Sequence, residues 1–270
     1  MKIAFIGGGN MATAIIGGLL ARGADAADLR VAEIDAAARE RLGREFGVTA
    51  VADALEAAVG ADCVFLAVKP QQMRTVVASV APACASALVV SIAAGIRTAD
   101  LSRWLGGHDR IVRVMPNTPA LIRQGLSAAF PLAGVSAGQR AAVDDLLGAV
   151  GKVLWVPDED ALDGVTALSG SGPAYVFYLI EAMQEAAGRL GFDAEAARLM
   201  SIQTVLGAAG LAAQSTEPAA TLRARVTSKG GTTERALQVL EERGAKAAFV
   251  DAIEAAAVKS RELGDAFGRD

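Results

Sequence analysis

Phe5-Ile6-Gly7-Gly8-Gly9-Asn10-Met11-Ala12 is the stretch that decides how this chain folds. A short apolar run ends in three glycines and passes at once into a helical pattern. Gly7 permits a tight turn, Gly9 leaves bare backbone for a close approach, and Ala12 lets the helix pack against its strand. A helix starting near Asn10 presents unpaired N–H groups and the positive end of its dipole to an anion. An ordinary strand–loop–helix turn would use similar residues. The strand–turn–helix context is nevertheless that of a dinucleotide pyrophosphate site, with Gly7, Gly9, Asn10, Met11 and Ala12 as its contacts.

The same alternation repeats outward from this stretch. Residues 2–6, 29–34, 62–68, 88–93 and 110–115 read as strands, with helical patterns over 10–22, 35–46, 71–80 and 98–105 between them. The run 62–68 is almost unbroken in its apolar character, as in a strand buried on both faces. Strands spaced by helices predict a parallel, doubly wound sheet with right-handed crossovers. Two further strands, 125–130 and 152–156, extend the far side of the sheet around a helix over 137–147.

After Val156-Pro157-Asp158-Glu159 the period changes. Residues 173–190, 193–214, 219–225, 232–242 and 245–263 all follow helical periodicity. The fold expectation is an α/β Rossmann-type domain over residues 1–160 with a parallel-dominated sheet, then an all-helical domain over 161–270. Ser169-Gly170-Ser171-Gly172-Pro173-Ala174 reads as the cap of the long helix, with proline in its first turn. Small residues bury little area each, so these apolar helices call for a partner subunit to complete their core.

Composition narrows the classes. The chain has 270 residues, is 53% apolar and carries a net charge of −4. That supplies a core for one large or two ordinary domains and no basic face for nucleic acid. Cys63 and Cys84 have no metal-ligand spacing and read as reduced core thiols of a cytoplasmic protein. The first apolar run is too short and glycine-broken for a signal peptide. The longer apolar stretches are interrupted before the roughly 20 residues of a membrane helix.

Several residues carry candidate chemistry. Glu33 closes the second strand, where a carboxylate can accept both adenosine ribose hydroxyls and repel a 2′-phosphate. It favours NADH over NADPH, although Arg39 and Arg41 could lean toward a phosphate, and a solvated strand-end charge is the plain alternative. Val68-Lys69-Pro70 follows the buried strand 62–68 at the carboxyl end of the sheet, where ligands bind in this architecture. Ser91-Ile92-Ala93-Ala94-Gly95 ends the next strand in small residues suited to a close approach. Asn117 lies in a turn fixed by Pro116 and Pro119, and either presents an amide or only shapes the turn. In the helical half, Val226-Thr227-Ser228-Lys229-Gly230-Gly231-Thr232-Thr233 places hydroxyls and free N–H groups at a helix mouth. That suits a small carboxylate, as it would also suit an ordinary helix–helix loop. His108 follows two glycines in what reads as a surface turn, and no Cys/His or carboxylate cluster suggests a metal. Hydride transfer to a protonated C=N bond fits such a set, because an iminium carbon accepts hydride without an enzyme acid.

Taken together, Phe5 to Ala12, Ala67-Val68-Lys69-Pro70, Ser91 to Gly95, Met115-Pro116-Asn117-Thr118-Pro119, Leu168 to Phe177 and Val226 to Thr233 resemble the pyrroline-5-carboxylate reductase family over essentially the whole chain. The resemblance implies NADPH- or NADH-dependent reduction of 1-pyrroline-5-carboxylate to L-proline, without metal. It implies a helical dimerisation domain, a homodimer with the substrate site near the dimer interface, and larger rings of dimers such as a decamer. It assigns the substrate carboxylate to Ser228, Gly230, Gly231, Thr232 and Thr233, the ring nitrogen to the Thr233 hydroxyl, and the coenzyme to Val68, Lys69, Pro70, Ala93 and Asn117. Glu33-Ile34-Asp35, in place of a serine-, threonine- or asparagine-rich turn, and Ala54, in place of an asparagine, depart from NADPH-using relatives. Lys229 stands where many relatives carry proline. A β-hydroxyacid dehydrogenase, an F420-type redox protein and a non-catalytic dinucleotide sensor are the rival classes.

Overall fold

The computed structural model describes residues 1–268. In chain order it contains β1 (Ile3–Ile6), α1 (Asn10–Ala21), β2 (Leu29–Ala32), α2 (Ala36–Phe46), β3 (Thr49–Val51), α3 (Ala54–Ala58), β4 (Cys63–Leu66), α4 (Pro70–Cys84), β5 (Leu88–Ser91), α5 (Thr98–Trp104), β6 (Ile111–Met115), β7 (Gly125–Pro131), α6 (Ala137–Gly148) and β8 (Gly151–Trp155). Helices α7 (Ala161–Val165), α8 (Gly172–Arg189), α9 (Ala194–Gln214), α10 (Ala219–Arg225), α11 (Thr232–Glu242) and α12 (Ala245–Phe267) follow.

The strands form one sheet in the order β3-β2-β1-β4-β5-β6-β7-β8. All neighbours from β3 to β6 run parallel, β7 is antiparallel to β6, and β8 is parallel to β7. The order reverses between β1 and β4. Chain segments leaving those two strands therefore diverge and open a crevice at their carboxyl ends. Alternate residues feed two cores. Phe5 stacks on Phe65 at 4.9 Å and packs with Ile15, Ile16, Leu42 and Val143 on one face. Ile6, Val64 and Leu66 pack with Met73, Val77 and Leu101 on the other.

Local chemistry sets most boundaries. Asp35 and Asp53 cap α2 and α3 by accepting the N–H groups of Ala38 and Glu56. Strand β2 stops at Ala32 rather than at the expected residue 34, and Ile34 is exposed. The short β3 and α3 were not anticipated, because five- and three-residue elements carry too little periodicity to read. His108 is half-buried rather than on an open turn, and its pKa is lowered first by burial and then by Arg110. Cys63 and Cys84 are free and buried. Burial raises both thiols, Cys84 to about 11.

Two expectations change. The segment from Ser169 to Ala174 is not a loop with a cap. Residues Thr166–Gly170 form a π-helical turn that leads straight into α8, and the Ser171 N–H donates to Thr166 O at 2.8 Å. The wider turn accommodates Pro173, which has no N–H to donate. By their internal contacts the residues group into two compact units. One compact unit comprises Met1–Ser171 with the stretch from Ala255, and the other is Gly172–Glu254. The last turns of α12 return to the sheet unit, which no local pattern announces. Within Gly172–Glu254 only Ala187, Ala197 and Ser201 are buried among the described residues. Helix α9 is, by length and composition, long and apolar enough to cross a membrane, contrary to the expectation of interrupted runs. Its glycines do not lower hydropathy enough to break the run, and its charged residues cluster near its start.

Candidate functional site

The crevice beside β1 is built by its glycine turn. Gly7 has φ +105°, and its N–H donates to Ala32 O at 2.8 Å. A Cβ there would lie 2.8 Å from Ala67 O, so only glycine lets β1 and the end of β4 stay adjacent. Gly8 donates its N–H to Glu33 Oε2 at 3.0 Å. Gly9 is the N-cap of α1 with extended backbone, and no side chain caps the helix. Nothing lies within 4 Å of where a Gly9 Cβ would stand. The first-turn N–H groups of Asn10, Met11 and Ala12 thus lack intrahelical acceptors and open onto free space. Ala12 itself is buried and packs on Phe5 and Ile15.

A cleft of about 570 Å³ continues from this turn. Gly7, Gly9, Glu33, Val68 and Lys69 line it, and the size suits a substantial organic ligand. Ala54 and Ile34 line it as well, as do Gln71, Gln72 and Thr75, to which the sequence had assigned no role. Their signal was faint: Gln71 and Thr75 share a face of α4 by i,i+4 spacing. Lys69 is the N-cap of α4, with Pro70 at its first position. Pro70, Asn10, Met11 and Ala12 are not among the lining residues, although Pro70 and Asn10 directly adjoin residues that are. An open glycine cradle, an uncapped helix and a deep cleft beside a carboxylate fit a dinucleotide.

Glu33 does more than face the cleft. Its Oε2 accepts Gly8 N–H and its Oε1 accepts Asp35 N–H, each at 3.0 Å. Arg39 Nη1 donates to the carbonyls of Glu33 and Ile34 at 2.7 and 2.9 Å. The carboxylate therefore ties the glycine turn to the β2–α2 loop at the wall of the cleft.

Ala93 and Asn117 are not brought into this cleft. Ala93 is buried after β5, where its N–H meets Ser91 Oγ at 3.4 Å. The Asn117 amide is engaged at both ends. Its Nδ2 donates to Ser169 Oγ at 3.1 Å and to Ser169 O at 3.3 Å, and its Oδ1 accepts Leu126 N–H at 2.8 Å. Asn117 thus holds the π-helical turn against the end of β6.

In the second unit, the segment before α11 forms a separate open helix mouth. Gly230 has φ +75°, and Gly231 is an extended N-cap without a side-chain cap. The Gly231 N–H donates to Ser228 O at 3.1 Å, and a Cβ on Gly231 would fall 2.6 Å from Ser228 Oγ. Glu234 Oε2 accepts the Gly230 N–H at 2.7 Å, fixing the turn. Thr232 and Thr233 occupy the first two positions of α11, so the structure groups Ser228, Gly230, Gly231, Thr232 and Thr233 in one loop. Among the described residues no group of three or more His, Cys, Asp or Glu side chains could hold a metal ion.

Comparison with known proteins agrees with this architecture. Residues 2–95 match the family described as NADP oxidoreductase, coenzyme F420-dependent, and residues 159–263 match pyrroline-5-carboxylate reductase dimerisation. The exposed apolar surface of α9 lies inside that second match. A pyrroline-5-carboxylate reductase of Pseudomonas aeruginosa is 47% identical over 269 residues, covering 99% of this chain and 98% of the relative. The solved pyrroline-5-carboxylate reductase of Coxiella burnetii superposes with a TM-score of 0.92 at 42% identity, covering 97% of this chain and 98% of its own. That of Plasmodium falciparum, solved with NADP bound, gives 0.88 at 28% identity, with 98% of each chain covered. The F420-type match covers only the dinucleotide-binding half, whereas these relatives span both halves. The chain is an NAD(P)H-dependent oxidoreductase and belongs to the pyrroline-5-carboxylate reductase family.

Proposed function

We propose that the chain reduces the C=N bond of 1-pyrroline-5-carboxylate by holding coenzyme and imine at two built helix mouths. The pyrophosphate lies over Gly9 at the uncapped start of α1, where the N–H groups of Asn10, Met11 and Ala12 receive it. Glu33 accepts the adenosine ribose hydroxyls, and Val68, Lys69 and Pro70 border the coenzyme beyond the pyrophosphate. Ala93 supplies close backbone at the nicotinamide end, and Asn117 keeps the neighbouring turn in place. When bound, the reduced nicotinamide supplies the hydride.

Ser228, Gly230, Gly231 and Thr232 surround the substrate carboxylate: Gly230 and Gly231 shape the turn, and the Ser228 and Thr232 hydroxyls with the first-turn N–H groups of α11 take the anion. The Thr233 hydroxyl holds the ring nitrogen and orients the adjacent carbon. A protonated imine already carries the electrophilic charge, so orientation and carboxylate binding are what the protein contributes. The observation that carries this reading is the uncapped mouth of α11 behind the Gly230–Gly231 turn, open to an anion.

Either coenzyme serves, with NADH favoured because Glu33 repels a 2′-phosphate and Ala54 offers it no donor. The working form is a homodimer in the cytoplasm, able to assemble further into rings such as a decamer. Its domains are a coenzyme domain over about residues 1–160 and a helical dimerisation and substrate domain beyond it.

The decisive experiment is on Thr233. Thr233→Ala should lower kcat/KM for 1-pyrroline-5-carboxylate by about 5- to 150-fold, the equivalent of about 1–3 kcal/mol. The dissociation constant of the coenzyme should stay unchanged, and Thr233→Ser should recover much of the activity. Native catalysis by the alanine variant would overturn the role of the hydroxyl. Activity should also persist after thorough chelation of metal ions.

A further inference from the structure

The sheet unit holds a cluster of charges that neither the cleft nor the helix mouth uses. Arg97, immediately before α5, is its centre. Its Nη1 donates to Asp160 Oδ1 at 2.7 Å, and its Nη2 lies 3.9 Å from Asp163 Oδ2 and 3.7 Å from Asp265 Oδ1. Asp163, on α7, is only 2% exposed. Its Oδ1 accepts the Ser260 hydroxyl of α12 at 2.6 Å, while its buried Oδ2 has no hydrogen-bond partner among the described residues. Beside this cluster, Glu159 accepts the Thr98 N–H and hydroxyl at 2.8 and 2.7 Å, and Arg113 of β6 pairs with it at 3.0 Å.

Arg97 and Thr98 directly follow the turn that leaves β5. Gly95 of that turn has φ +76°, and a Cβ there would stand 3.0 Å from the Phe267 ring and 3.5 Å from Gly264 N. Gly264, in turn, faces Gly95 O. Two glycines thus let the end of α12 approach the turn backbone to backbone. Hydrophobic packing by Phe267 closes the contact. A buried carboxylate with an unpaired oxygen is poor evidence of stabilisation, since apolar residues of equal volume usually hold a fold as well. What such a cluster supplies is a single register among the elements that share it. Here the shared elements are α5, α7 and α12, and the part they enclose is the Ser91–Gly95 turn.

We propose that Arg97, Asp163 and Ser260 are positioning residues that dock the end of α12 onto the β5–α5 turn and so set that turn for the coenzyme. None of the three needs to touch the coenzyme. Arg97 fixes the turn from its α5 end, and Ser260 through Asp163 fixes the helix that roofs Gly95. The inference rests on the reading that Ala93 lies at the nicotinamide end.

The test separates register from stability. In Arg97→Gln/Asp163→Asn the buried carboxylate and its partly exposed partner are neutralised together, so no uncompensated charge is left in the interior, and the amide still accepts from Ser260. The melting temperature should stay within a few degrees of native, while the dissociation constant for NADPH, followed by fluorescence titration, should rise about tenfold. Ser260→Ala should weaken NADPH binding in the same direction and Ser260→Thr should restore it, which keeps the test alive if the double variant folds poorly. Native affinity for NADPH in the double variant and in Ser260→Ala would overturn the proposal. The underlying reading is checked independently by hydrogen–deuterium exchange on the native protein. NADPH should protect the amides of residues 91–95, and no protection there would remove the turn from the coenzyme site altogether. Protection combined with unchanged affinities would sink only the positioning role.

Discussion

Glu33 shows how one side chain serves two purposes. Its carboxylate holds Gly8 and Asp35 through their N–H groups and still lines the cleft where a ribose would lie. Removing it therefore has two separable consequences. Glu33→Ser should shift the ratio of kcat/KM values toward NADPH by about tenfold, because a repelling charge is removed. It should also cost about 1–2 kcal/mol of stability, because a half-buried Gly8 N–H loses a charged acceptor. Steady-state kinetics with both coenzymes and a denaturant titration read the two effects. An unchanged coenzyme ratio beside lowered stability would mean that the carboxylate only braces the turn. The place of Glu33 at the strand end, beside the glycine turn, was legible in the sequence. Its grip on Gly8 was not, since that contact joins residues 25 positions apart.

Within α1, two glycines have opposite surroundings. Gly9 faces open space, and its φ of −69° suits any residue. At Gly18 a Cβ would lie 2.7 Å from Val150 Cγ1 and 2.8 Å from Ala149 O. Gly18→Ala should thus destabilise the protein by about 1–3 kcal/mol through overpacking, and leave coenzyme affinity almost native. Gly9→Ala should leave the melting temperature unchanged but weaken NADPH binding about tenfold or more, because its methyl group would occupy the place of a phosphate. Thermal melts and NADPH titrations of both variants check the contrast. The glycine turn was readable because turn, cap and helix are encoded within a few neighbouring residues. The packing of Gly18 against the turn between α6 and β8 was not, because its partner lies more than a hundred residues away.

At the scale of the whole molecule, the helical unit is a core with one side missing. Tyr178 is 72% exposed and Leu211 68% exposed in the single chain. Large apolar side chains left this exposed mark an association face, and they lie inside the match to the dimerisation family. Sedimentation should find a dimer as the smallest folded species even at nanomolar concentration. Leu211→Glu should dissociate it and lower both activity and melting temperature, since a buried unpaired carboxylate costs several kcal/mol. A stable, fully active monomer would contradict the shared-core reading.

The sequence by itself determined the alternation of strands and helices, the dinucleotide turn and the change to helical periodicity after residue 156. Each depends on side-chain periods and backbone preferences that act over a few residues. Only the tertiary structure decided where the compact units end, that Thr166 to Gly170 is a π-helical turn, and that Asn117 spends its amide on that turn. It alone brought Arg97, Asp163 and Ser260 together around Gly95. Those features arise from contacts between residues far apart in the chain, which no local pattern encodes.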